Sequence, residues 1–93
     1  MGFDLFAFLT TILGGINVNE IGTELTTWLN TKGKEYPDLQ SRTDALATWL
    51  QKTLGEIAPE LDPATMANTI KGIAADIVHG TAGVDPGAFH GGG

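Results

Sequence analysis

Leu25-Thr26-Thr27-Trp28-Leu29 returns further along the chain as Leu46-Ala47-Thr48-Trp49-Leu50, and this pair of pentapeptides decides the fold. Each copy runs on through a polar segment to a proline, an acid and a leucine. These are Pro37-Asp38-Leu39 after the first copy and Pro59-Glu60-Leu61 after the second. Both tryptophans of the chain lie in the copies. A Leu three residues before each Trp and another directly after it form one apolar face at helical spacing. The pattern predicts a helix, a proline-marked corner, a second helix of the same kind and another corner. Leu25, Trp28, Leu29, Leu46, Trp49 and Leu50 are therefore expected in the core, joined by Ile70 and Ile73 from a later stripe.

Around the first copy, Val18, Ile21, Leu25, Trp28 and Leu29 predict a helix over 17–32. Asn17 and Glu20 have the spacing of a capping box, with Ile16 and Ile21 at the staple positions. Around the second copy, Leu39, Leu46, Trp49, Leu50, Leu54 and Ile57 predict a helix over 38–57. Asp38 or Ser41 would cap it, and it must stop before Pro59. Asp62-Pro63 reads as a cap followed by proline at the first helical position, opening a helix over 63–79 on Met66, Ile70, Ile73 and Ile77. Met66 and Ile70 also repeat the spacing of Leu46 and Leu50, a faint third copy without a tryptophan.

Upstream lies the most apolar segment, with Phe3, Leu5, Phe6, Phe8, Leu9, Ile12 and Leu13. A helix over 3–13 leaves only Asp4, Ala7 and Thr11 as a polar stripe, and such a helix is normally buried on several sides. Phe3, Phe6, Leu9 and Leu13 point one way, while Leu5, Phe8 and Ile12 point to the adjoining side. The chain's own core, a neighbouring subunit and a membrane interface could each cover the second set. The segment is too short to cross a bilayer, which takes ~20 residues. Gly14-Gly15 would end the helix. At the other end, residues 81–93 are rich in glycine, with Val84 and Phe89 as the sizeable apolar side chains. This tail is expected to be mobile alone and ordered by contacts outside its own subunit, with Phe89 as anchor. The expected fold is all-α. Three amphipathic helices and a very apolar N-terminal helix form one domain over 1–80, followed by the tail.

Composition narrows the function. A chain of 93 residues makes one domain. At this size only ~60–65% of the unfolded surface is buried, so the core is marginal. There is no Cys, which excludes disulfides and thiolate metal sites. The formal charge of -6 argues against a nucleic-acid binder and against electrostatic attachment to anionic lipid. No basic region precedes the apolar run, so a signal peptide is not expected. Phe6 stands where a myristoylation signal needs Ser or Thr.

The catalytic inventory is thin: one Ser, one Arg, one Tyr and two His. Ser41 fits a helix start better than a nucleophile, having no His near it in sequence. His90-Gly91-Gly92-Gly93 copies an oxyanion-loop signature but has neither the preceding strand nor a GxSxG elbow. His79 and His90 with Asp76 and Asp85 could meet at a metal only if the tail folded back. In size, acidity and helix content the chain resembles the acyl carrier proteins. Their phosphopantetheine serine lies in an Asp-Ser-Leu motif, however, and Asp38-Leu39-Gln40-Ser41 does not substitute for it, so no site is carried over. No catalytic, cofactor-binding or metal-ligating residues are assigned, and no cofactor is expected.

The leading expectation is a non-enzymatic structural or assembly protein, one of many copies in a larger particle or filament, virions included. It would self-associate, or join other structural subunits, through Phe3, Leu5, Phe6, Phe8, Leu9, Ile12 and Phe89. Two alternatives stand beside it: an acidic helical adaptor or carrier-like binding module, and a peripheral membrane protein anchored by residues 3–13.

Overall fold

The computed structural model describes residues 4–82, which form a small all-α bundle with no strand among them. Its helices are α1 (Leu5–Leu13), α2 (Val18–Asn30), α3 (Leu39–Ile57) and α4 (Ala67–Thr81). Short 3-10 turns, Lys32–Glu35 and Pro59–Leu61, follow α2 and α3. The radius of gyration of 12.1 Å is that of a single packed unit, for which ~12 Å is expected.

Local chemistry sets the helix ends. The Asp4 carboxylate accepts the Ala7 N–H at 3.1 Å and starts α1. Gly14 ends it in the left-handed conformation (φ 65°), donating its N–H to the Thr10 carbonyl at 2.9 Å. Asp38 caps α3 by accepting the Ser41 N–H at 2.9 Å. Ser41 is thus the residue capped, and Asp38 is the cap. Pro59 follows the last turn of α3, which runs past Gly55 to Ile57.

Two of the expected starts are corrected. Asn17 sits in the left-handed region (φ 50°) and makes no side-chain cap, so the capping box does not form. Its amide instead donates to the Ile57 carbonyl at 2.9 Å, tying the start of α2 to the end of α3. Helix α4 begins at Ala67 and not at residue 63. Asp62 is left-handed (φ 50°), its carboxylate accepts the Thr65 hydroxyl, and its carbonyl accepts the N–H groups of Thr65 and Met66. Pro63 therefore opens a separate turn, and the helical ladder resumes where the Ile70 N–H meets the Met66 carbonyl. A smaller correction applies to α2, which stops at Asn30. Gly33 then tucks against the Trp28 ring, where an added methyl would lie 3.1 Å from it.

A single core unites the four helices. Leu5, Leu9, Leu13, Ile21, Leu25, Trp28, Leu29, Leu46, Leu50, Leu54, Ile70, Ile73, Ile77 and Val78 are all buried in it. Trp49 differs from its repeat partner: it is half-buried at the edge of the core, whereas Trp28 is 7% exposed. Helix α3 packs most extensively on α4, and α1 lies on α2. Helices α2 and α3 approach less closely and meet through long side chains, notably the Trp28–Trp49 pair with ring centroids 6.0 Å apart.

Candidate functional site

Helix α1 presents three kinds of position. Leu5, Leu9 and Leu13, at i, i+4 and i+8, are buried, with Leu5 fully so. Leu5 therefore shares a face with Leu9 instead of pointing with Phe8 and Ile12, and neither Leu5 nor Leu9 is available to a partner. Phe6 flanks this stripe on one side and reaches α2. Its ring lies where a Gly22 side chain would be, only 2.5 Å from an added methyl. Phe8 and Ile12 flank the stripe on the other side, half-buried and packed against the edge of the core. Asp4, Ala7, Thr10 and Thr11 are exposed. Of the other residues assigned to an interface, Phe3 and Phe89 lie outside the described residues, as does Val84.

The second surface lies where α2 and α3 diverge. Glu20 and Glu24 of α2 face Trp49, Lys52, Thr53, Glu56 and Ile57 of α3 across an open groove of about 410 Å³. On α3 the spacing of 49, 52, 53 and 56 sets these side chains on one helical face, as the spacing of 20 and 24 does on α2. Among the described residues the ion pair is Lys32–Glu35, at 4.0 Å and exposed, so the groove carboxylates meet no protein cation. The Asn17–Ile57 bond closes one end of the groove. Trp49 leans on Trp28 from the other side, and Trp28 in turn stacks on Tyr36 at 6.4 Å.

The residues considered for chemistry are not assembled into a site. The Ser41 N–H is held by Asp38 at the start of α3. His79 is exposed in the last turn of α4, and His90 and Asp85 lie outside the described residues. Among the described residues no three His, Asp or Glu side chains converge as metal ligands, and no helix is long and apolar enough to cross a membrane.

The groove was not anticipated as a surface. Glu20 had an apparent explanation as a capping partner, and Glu24, Lys52, Thr53 and Glu56 were given no role from the sequence. The i, i+4 pair of glutamates and the carboxylate seven residues after Trp49 were the available signal. Comparison with known proteins adds no analogy, since no family model, no curated protein and no solved structure matches the chain.

Proposed function

We propose that this chain is a non-enzymatic assembly protein, a small helical unit that works as one of many copies packed into a larger particle or filament. The observation that carries the reading is the edge of α1. The leucine stripe of this helix fits inside the domain, but its apolar arc is wider than the domain fully covers, and Phe8 and Ile12 stay partly exposed beside it. A second copy laid along this edge would remove both from water. Because the domain already covers much of each side chain, closing the rest adds only part of the ~1.5–3 kcal/mol that complete burial of such a side chain is worth. Leu5 and Leu9, expected at the interface, are buried in the domain, and the α1 edge that is left suits weak, repeated contacts better than one tight dimer.

The test is a pair of variants, Phe8→Asp and Ile12→Asp, compared with the parent by sedimentation equilibrium and circular dichroism. A helical monomer from either, against an oligomeric parent, supports the reading. Oligomers that persist in both would move association to another surface. Vesicles of neutral phosphatidylcholine provide the further arm: if the parent pellets with them and the variants do not, the edge is a lipid contact and the assembly reading is replaced.

A further inference from the structure

The groove between α2 and α3 has no role in the assembly reading and does not depend on it. Four features of it point to the same occupant. Glu20, Glu24 and Glu56 border it against a single Lys52, with no ion pair made by any of the four among the described residues. Trp49, half-buried and tilted against Trp28, lines it. Ile57 adds an apolar stretch next to it.

The fourth feature is Thr53. This residue lines the groove, is 7% exposed, and has a hydroxyl that no group of the described residues pairs with. Thr26, Thr27 and Thr48 return their hydroxyls to the carbonyl four residues back, whereas Thr43, in the same helix as Thr53, leaves its buried hydroxyl without a partner. Thr53 does not return its hydroxyl either. The orphan hydroxyl sealed from solvent is that of Thr43, whereas the Thr53 hydroxyl is not fully sealed and its residue lines the groove. A polar atom held in a nearly buried wall without a partner is suited to meet a donor from outside.

We propose that this groove binds an arginine side chain carried on an exposed segment of a partner protein. A guanidinium is planar and can lie against an indole face while its N–H fork reaches carboxylates, and its aliphatic stem suits Ile57. Its several donors also suit the Thr53 hydroxyl. A divalent metal ion does not fit, because the carboxylates border the groove without converging on a point. A net charge of -6 steers a basic segment toward the chain, and the indole and hydroxyl then set where it rests.

The experiment titrates the full chain with a blocked Gly-Arg-Gly-Arg-Gly peptide and follows the amide and indole N–H signals by NMR. The Trp49 indole and the Thr53 amide should shift most, and the Trp28 indole little. Replacing Glu24 and Glu56 together by Gln should weaken binding about five- to tenfold, the effect of two partly exposed ion pairs. Replacing Glu60 and Asp76 by Gln and Asn, which removes as much charge elsewhere, should weaken it less than about twofold once salt screens distant charges. The Lys counterpart of the peptide should bind less well. The proposal is overturned if the peptide shifts no groove signal, or if both double variants weaken binding equally. It is also overturned if spermine moves the same signals at lower concentration than the peptide, which would make a free polyamine the occupant.

Discussion

Trp28 and Trp49 occupy equivalent places in the repeated pentapeptide and unequal places in the molecule. Trp28 lies inside, between Gly33, Tyr36 and its repeat partner, whereas Trp49 keeps part of its ring open to the groove. Trp28→Ala should therefore cost ~3–5 kcal/mol in urea unfolding, most of the stability of so small a domain. Trp49→Ala should cost less, because part of its ring is already open to water. Equal losses would show that the two rings are equally central. Glycine gives a second contrast. Gly72 is helical with open space around it, so Gly72→Ala should stabilise by ~0.5–1 kcal/mol through backbone entropy. Gly22 is helical too, but an added methyl would strike the Phe6 ring. Overpacking of ~1–3 kcal/mol outweighs the entropic gain there, so Gly22→Ala should lower the melting temperature while Gly72→Ala raises it.

At the scale of helices, the ends that depend on adjacent residues were legible in the sequence, and those that depend on distant ones were not. Asp38 at the head of α3 and Gly14 at the tail of α1 act within one turn of themselves, and their residue types announce it. Asn17 carried the same signal, but its side chain goes to Ile57, forty residues away in sequence. A short-range pattern cannot report such a bond. Pro63 is the exception among the local signals: the left-handed Asp62 accepts the Thr65 hydroxyl three residues on, which makes a turn where a helix start was expected. The apolar arc of α1 was visible as well, but the assignment of Leu5 to its outer side was not correct. A period alone cannot say which part of a wide arc faces inward. These assignments separate by mutation. Asp38→Ala should cost ~1 kcal/mol by chemical denaturation, and Ser41→Ala close to none, because Ser41 takes part through its backbone. Asn17→Gly keeps the left-handed backbone but loses the bond to Ile57, and should cost ~0.5–1.5 kcal/mol. An Asn17→Gly variant as stable as the parent would mean that the α2–α3 tie contributes nothing.

At the scale of the molecule, the four helices of the described residues close over one core and leave two surfaces with unfinished character, the α1 edge and the acidic groove. They differ in chemistry and in what would disturb them. Contact through Phe8 and Ile12 is apolar and should persist at high salt, whereas binding in the groove should fade as salt rises. The central claim is that copies of this chain pack against one another, and concentration tests it most directly. The mass of the full chain should be followed by sedimentation equilibrium from micromolar to millimolar concentration in moderate salt. Association through the α1 edge predicts a weight-average mass that climbs above the 9.8 kDa of one chain and keeps climbing when salt is raised. A mass that stays at 9.8 kDa across the whole range would contradict it.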